Sequence, residues 1–245
     1  MNRAMLSKRR VQVILFNYFA GYLFLYPLLI GVLFRLFAPL GIPNLGRMLE
    51  NLVYILVFTV TVGAAWPLLK EHLERFRQNR RAIVKSTLTR YVQMWLVMYG
   101  MNLAIILITG LSSSQNQDTV VQQLTQSPLQ IILVTCLFAP IVEETVFRGA
   151  VFTPLRQRGS FRTAALVSGF LFGLLHVFTS LLSGNLSDGI FILVYGTMGY
   201  LLCAAEEENQ TIVSPLLMHG LNNLISVMLI PVSYTHLRAH ETDQY

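Results

Sequence analysis

The sequence predicts an all-α fold, a polytopic bundle of about seven transmembrane helices. Three observations carry this reading. The 245 residues are 54% hydrophobic and 12% charged, with a mean hydropathy of +0.56, whereas soluble domains carry about a quarter charged residues. The apolar residues gather into runs that reach the roughly 17–25 residues a helix needs to cross a bilayer. No alternation of period two persists within those runs, which sets strands aside.

The runs are 11–37, 49–69, 91–111, 129–147, 163–182, 189–205 and 212–230. The first contains Pro27 and Arg35, so it is expected to kink or to end before Arg35. Glycine and proline interruptions elsewhere are tolerated where neighbouring helices satisfy the freed backbone groups. The first run is too long for a signal peptide and lacks a small-residue cleavage site.

Basic residues alternate cleanly between the connecting segments. Arg3, Lys8, Arg9 and Arg10 precede the first run. Lys70, Arg75, Arg77, Arg80, Arg81, Lys85 and Arg90 link the second and third, and Arg148, Arg156, Arg158 and Arg162 follow the fourth. Segments 112–127 and 183–188 carry none. This bias predicts a cytoplasmic N-terminus, with the two polar loops that lack basic residues outside. The acidic link 206–211 falls inside by count.

The net charge of +6 is confined to these short segments, a pattern suited to anionic lipid and not to nucleic acid. Cys136 and Cys203 both sit within apolar runs and imply no disulfide framework. With no repeat visible, residues 1–230 read as a single integral membrane domain. The polar segment 231–245 reads as a non-native, adapter-like tail. His236, His240 and Glu241 within it mimic a metal site only superficially.

Ionisable groups inside apolar spans mark functional sites by default, and three short stretches supply them. In EETVFR, successive helix positions turn by about 100°, so Glu143 and Glu144 point in different directions. Glu144 and Arg148, four apart, share a face as an ion pair expected to close the cytoplasmic end of span four. Glu143 is left free to enter the bundle. In FGLLH, Phe172 and His176 lie one turn apart. In HGLNN, His219 and Asn223 share one face, with Asn222 rotated away.

Each stretch alone has a bland reading as a solvated helix end or a hydrogen-bonded core histidine. Together they bring a carboxylate, two imidazoles and an amide from three spans, the inventory for hydrolysing a peptide bond by activated water. Ser168, Ser180 and Ser214 lack a matching base by spacing, and a Cys136 thiol mechanism has little support.

Quoted in order, EETVFR, FGLLH and HGLNN resemble the EExxxR, FxxxH and HxxxN motifs of the CPBP family. Its members are CAAX proteases and bacteriocin-processing or immunity enzymes, also called the Abi family. The resemblance spans residues 129–230 and implies an intramembrane endopeptidase. By that resemblance, Glu143 and His176 activate water, His219 and Asn223 line the oxyanion pocket, and Glu144, Arg148 and Phe172 support them. It further implies a peptide or membrane-protein substrate, an eighth helix beyond the present C-terminus, and a site opening toward the cytoplasm. The oligomeric state stays open.

No cofactor is expected. Zinc held by Glu143, His176 and His219 is the alternative, although HExxH is absent. On depth, Glu143 reads as lying near the cytoplasmic end of its span and His176 deeper, a mismatch that a tilted or broken span five would remove. The rival readings are an immunity protein acting by binding, a proton-coupled transporter using the same buried groups, and a scaffold with a structural polar cluster.

Overall fold

Apolar segments deprived of water must close their backbone hydrogen bonds internally, and the chain does so as helices. The computed structural model describes residues 5–242, with side chains as far as Leu229, and no strand occurs among them. Six helices are long and apolar enough to cross a bilayer: α1 (Lys8–Leu40), α2 (Leu45–Gln78), α3 (Arg80–Thr109), α5 (Pro128–Arg158), α6 (Phe161–Leu182) and α7 (Leu186–Asn209). The polar helix α4 (Gln115–Gln126) lies between α3 and α5. The last helix, α8 (Val213–Thr242), has a shorter apolar stretch, Val213–Leu229. His236, His240 and Glu241 lie outside the described side chains. Large apolar residues such as Leu107 (77% exposed) and Ile108 (83%) cover the outside, as contact with lipid requires.

The helices outrun the apolar runs that announce them. Helices α2 and α3 continue through the basic link and part only at Asn79, whose φ of −123° breaks the helix. The acidic residues Glu206, Glu207 and Glu208 form the last turn of α7 and are not a loop. Each reaches a different group: Glu206 accepts from Thr153, Glu207 pairs with Arg156 at 2.9 Å, and Glu208 takes Ser86 and Arg90. The segment 112–127, expected as a loop, is mostly α4. It starts at Ser114, whose side chain accepts from the Gln117 N–H.

Two sequence features shape the interior. Three stretches widen into π-helix, at Phe16–Leu25, Val134–Phe138 and Thr145–Phe152. Each ends two residues before a proline: Pro27, Pro140 and Pro154. Proline lacks the N–H that an α turn needs, and the helix accommodates by opening. The second feature is a glycine seam between α6 and α7. A methyl at Gly173 would lie 2.7 Å from both Gly196 N and Ile192 O, and one at Gly199 would lie 2.8 Å from Gly169 Cα. Small residues let two backbones approach this closely in a membrane.

Polar side chains tie the remaining helices. Asn17 of α1 donates to Val57 O and Thr61 Oγ1 of α2, and accepts from Tyr26. Thr87 of α3 meets Ser214 of α8 at 2.8 Å.

Candidate active site

The sequence places Glu143 and Glu144 near a helix end; the structure places them in mid-helix. Because α5 runs on to Arg158, with Thr145–Phe152 wholly buried, the EETVFR stretch sits inside the bundle, Glu143 and Glu144 between two π segments and Thr145–Arg148 within the second. This lengthening of α5 also removes the depth mismatch between Glu143 and His176, with no break in α6 over Phe161–Leu182.

Glu144 and Arg148 form the expected i,i+4 pair, Nε to Oε2 at 3.0 Å, but both side chains are fully buried. The pair therefore does not close the end of the helix. Arg148 also donates to Gly199 O at 3.2 Å, and its guanidinium lies 4.8 Å from the centre of the Phe172 ring. The second oxygen of Glu144 meets His219 Nδ1 at 2.8 Å. Glu144 thus bridges α5 to α8, a link that the four-residue spacing could not show.

Glu143 faces the other way. Its Oε2 lies 3.9 Å from His176 Nε2 and 3.9 Å from His219 Nε2, and no hydrogen-bond partner reaches that oxygen. The two imidazoles are held from behind. His176 Nδ1 lies 2.8 Å from Phe172 O. A carbonyl only accepts, so Nδ1 carries the proton and the neutral ring presents a lone pair at Nε2. His219 Nδ1 faces the Glu144 carboxylate and is the donor there for the same reason. Phe172, fully buried, packs against both rings, at centroid distances of 4.4 Å to His176 and 5.6 Å to His219.

These groups line a cavity of about 290 Å³ that extends from Glu143 to α4. Asn223 lines it and donates its amide to Thr135 O at 2.9 Å, a carbonyl in the π turn just before Pro140. Asn222, expected to point away, lines the cavity as well. Gly220 lets α8 approach α5, since a methyl there would lie 3.4 Å from Cys136 O. The cavity reaches the α4 side of the bundle, opposite the end that carries Arg75 and Arg156, which meet the C-terminal turn of α7. The basic-residue count assigns the Arg75 and Arg156 end to the cytoplasm, so the expected cytoplasmic opening and this direction do not agree.

The candidate nucleophiles are occupied elsewhere. Ser168 donates to Phe147 O, Ser180 to Val177 O and Asp188, and Ser214 faces Thr87. None of them lines the cavity, and neither does Cys136.

The site also holds residues that no motif announces. Tyr18, 2% exposed, faces Glu143 from α1. Tyr195 of α7 stacks on His176 with centroids 4.4 Å apart. Neither has a sequence signal beyond being an aromatic in an apolar helix.

The zinc alternative fits poorly. Zinc–ligand distances of about 2.0–2.2 Å put tetrahedral donors roughly 3.3–3.5 Å apart, and the Glu143 oxygen stands 3.9 Å from each imidazole nitrogen. No group of three His, Cys, Asp or Glu side chains among the described residues forms a metal-binding set. The same gap suits a water. One oxygen about 2.8 Å from the carboxylate and from an imidazole nitrogen spans it.

Comparison with known proteins bears on the segment that holds these groups. Residues 125–225 match the family model described as type II CAAX prenyl endopeptidase Rce1-like. The chain is 28% identical over 116 residues to the Bacillus subtilis (strain 168) protein named "Putative membrane peptidase YdiL". That alignment covers 47% of this chain and 43% of the relative, so the chain spans less than half the relative's length. No solved structure gives a significant match.

Proposed function

We propose, from the match of residues 125–225 to the type II CAAX prenyl endopeptidase model and the likeness to the Bacillus subtilis relative, that the protein is a CPBP-family intramembrane endopeptidase that hydrolyses a peptide bond with water activated by Glu143 and His176. One observation carries the reading. A carboxylate oxygen without a hydrogen-bond partner faces two imidazole nitrogens at equal distances of 3.9 Å in a buried cavity.

The proton positions follow from what stands behind each ring. A water between Glu143 Oε2 and His176 Nε2 donates one hydrogen to each, leaving an oxygen lone pair toward a carbonyl bound in the cavity. As that oxygen attacks, Glu143 takes the proton as general base, then returns it to the leaving amine. His219, drawn toward Glu144 at Nδ1, presents Nε2 to the same space. In its protonated form it donates to the developing oxyanion. Asn223 stands in the same cavity wall. One N–H of its amide goes to Thr135 O and holds the π turn before Glu143, and the second is left to assist His219 at the oxyanion. Glu144 and Arg148 fix the His219 ring and do not touch substrate.

The substrate is a polypeptide segment, and the lipid bilayer is the protein's setting. We place the N-terminus in the cytoplasm on the basic-residue count, with the protein in a bacterial plasma membrane.

The test is a proteomic comparison of membranes from cells expressing wild type or Glu143→Ala. Fragments present only with wild type are expected. If the two fragment sets match while a peptide still binds both forms, the family's binding-type immunity role is favoured. Proton-coupled uptake in liposomes that His176→Ala abolishes would instead mark a transporter.

A further inference from the structure

Between His176 and the helix that roofs the cavity stands a side chain outside all three motifs. Tyr195 immediately precedes Gly196, and the glycine seam brings that turn of α7 against α6. The Tyr195 ring therefore lies on the imidazole of His176, centroids 4.4 Å apart and planes 23° from parallel. Phe172 packs on the same imidazole at 4.4 Å. With Nδ1 bonded to Phe172 O, the ring is fixed by two aromatic contacts and one hydrogen bond.

The hydroxyl of Tyr195 points the other way, to α4. It shares a hydrogen bond with Ser114 Oγ at 2.7 Å and accepts from Asn116 Nδ2 at 3.4 Å. Ser114 is the N-cap of α4 and is 3% exposed. The next residue, Gln115, donates its N–H to Asp188 at 3.0 Å, and Ser180 of α6 donates to the same carboxylate. The first turn of α4 is thus clamped to the ends of α6 and α7, while Gln117, Val120 and Gln123 farther along it line the catalytic cavity.

We propose that Tyr195 is a positioning residue for His176 that ties the imidazole to the cap of α4, so that the roof of the cavity and the histidine in its wall are set together. A polypeptide entering the cavity from the α4 side must displace or pass that helix. Pulling the Ser114 cap away removes the hydroxyl anchor of the ring that holds His176. Closing the helix restores that anchor and shuts out bulk water. The kinetic consequence rests on the proteolytic reading above; the structural coupling does not.

The experiment uses the full chain in detergent micelles, labelled with ¹⁵N-histidine, the His176 signals being assigned by their loss in His176→Gln. Wild type should show His176 in the single Nδ1–H tautomer. Tyr195→Leu, which removes the ring, should move both His176 nitrogens toward tautomer-averaged positions. Ser114→Ala never touches His176, yet it should shift the same signals. It should also speed maleimide labelling of a Val120→Cys probe, in a Cys136→Ser background, by about three- to tenfold, the worth of one neutral hydrogen bond. Tyr195→Phe keeps the ring and loses the anchor, so it should behave like Ser114→Ala.

Superimposable His176 signals in wild type and Ser114→Ala would overturn the coupling. Unchanged signals in Tyr195→Leu would overturn the positioning role. On a Glu143-dependent membrane fragment, Ser114→Ala and Tyr195→Phe should raise KM about three- to tenfold and spare kcat, whereas Tyr195→Leu should lower kcat. If wild type yields no such fragment, the proteolytic reading falls while the spectroscopic result still decides Tyr195.

Discussion

Adjacent glutamates should fail in opposite ways. Glu144→Gln removes the charge that balances a fully buried guanidinium 3.0 Å away, and its single amide oxygen cannot serve both Arg148 and His219, which Glu144 meets at 2.8 Å. Breaking a buried ion pair by deleting one member costs about 3–5 kcal/mol, because the remaining charge stays buried without compensation. The Gly199 carbonyl and the Phe172 ring still contact Arg148 but carry no formal charge. For a chain of this length roughly 2–4 °C of melting temperature is lost per kcal/mol, so the expected drop in detergent is about 6–20 °C. Glu143→Gln changes an oxygen that has no hydrogen-bond partner. It should melt within about 2 °C of wild type while losing cleavage. Replacing the whole pair, as Glu144→Leu with Arg148→Met, should recover part of the loss, since apolar groups of similar volume often substitute for a buried pair without penalty. The assay is thermal unfolding of purified protein followed by thiol-reactive fluorescence, with fragment release measured on the same samples. Equal melting temperatures for Glu143→Gln and Glu144→Gln would refute this division of labour.

Three further outcomes are expected. Glu143→Ala, His176→Ala and His219→Ala should each abolish cleavage in protein that still elutes as a folded peak on size exclusion. His219→Ala should melt lowest of the three, because it leaves one buried oxygen of Glu144 without its donor, at a cost of about 1–3 kcal/mol. Gly173→Ala should destabilise by about 1–3 kcal/mol through overpacking, since its methyl would lie 2.7 Å from backbone atoms of α7; a melting curve matching wild type would show that the seam can open. Treatment with 1,10-phenanthroline should leave fragment release unchanged, and a loss restored by added zinc would return the metal alternative.

The helices and the site were legible to different depths. Length and hydropathy gave the spans, because a bilayer rewards nothing but apolar length and closed backbone bonding. The ends of those spans were misread. Basic residues at 70–90 and 156–158 are good helix formers once clear of the hydrocarbon, so the helices carry on through them and Glu143 moves to mid-helix. The i,i+4 rule found Glu144 with Arg148, since the spacing is intrinsic to any helix. It could not find Glu144 with His219, which are 75 positions apart, nor Tyr195 with His176, which depends on how closely α6 and α7 approach.

The sequence by itself determined the all-α membrane class, the three polar stretches and the local pairing within them, because these follow from composition and the 3.6-residue turn. Only the tertiary structure decided that both Glu143 and Glu144 face inward, that their partners lie on different helices, and that the cavity runs to α4. Those outcomes depend on π turns ahead of prolines and on glycines that let backbones touch. Their effect is felt across helices, where no spacing along the chain can record it.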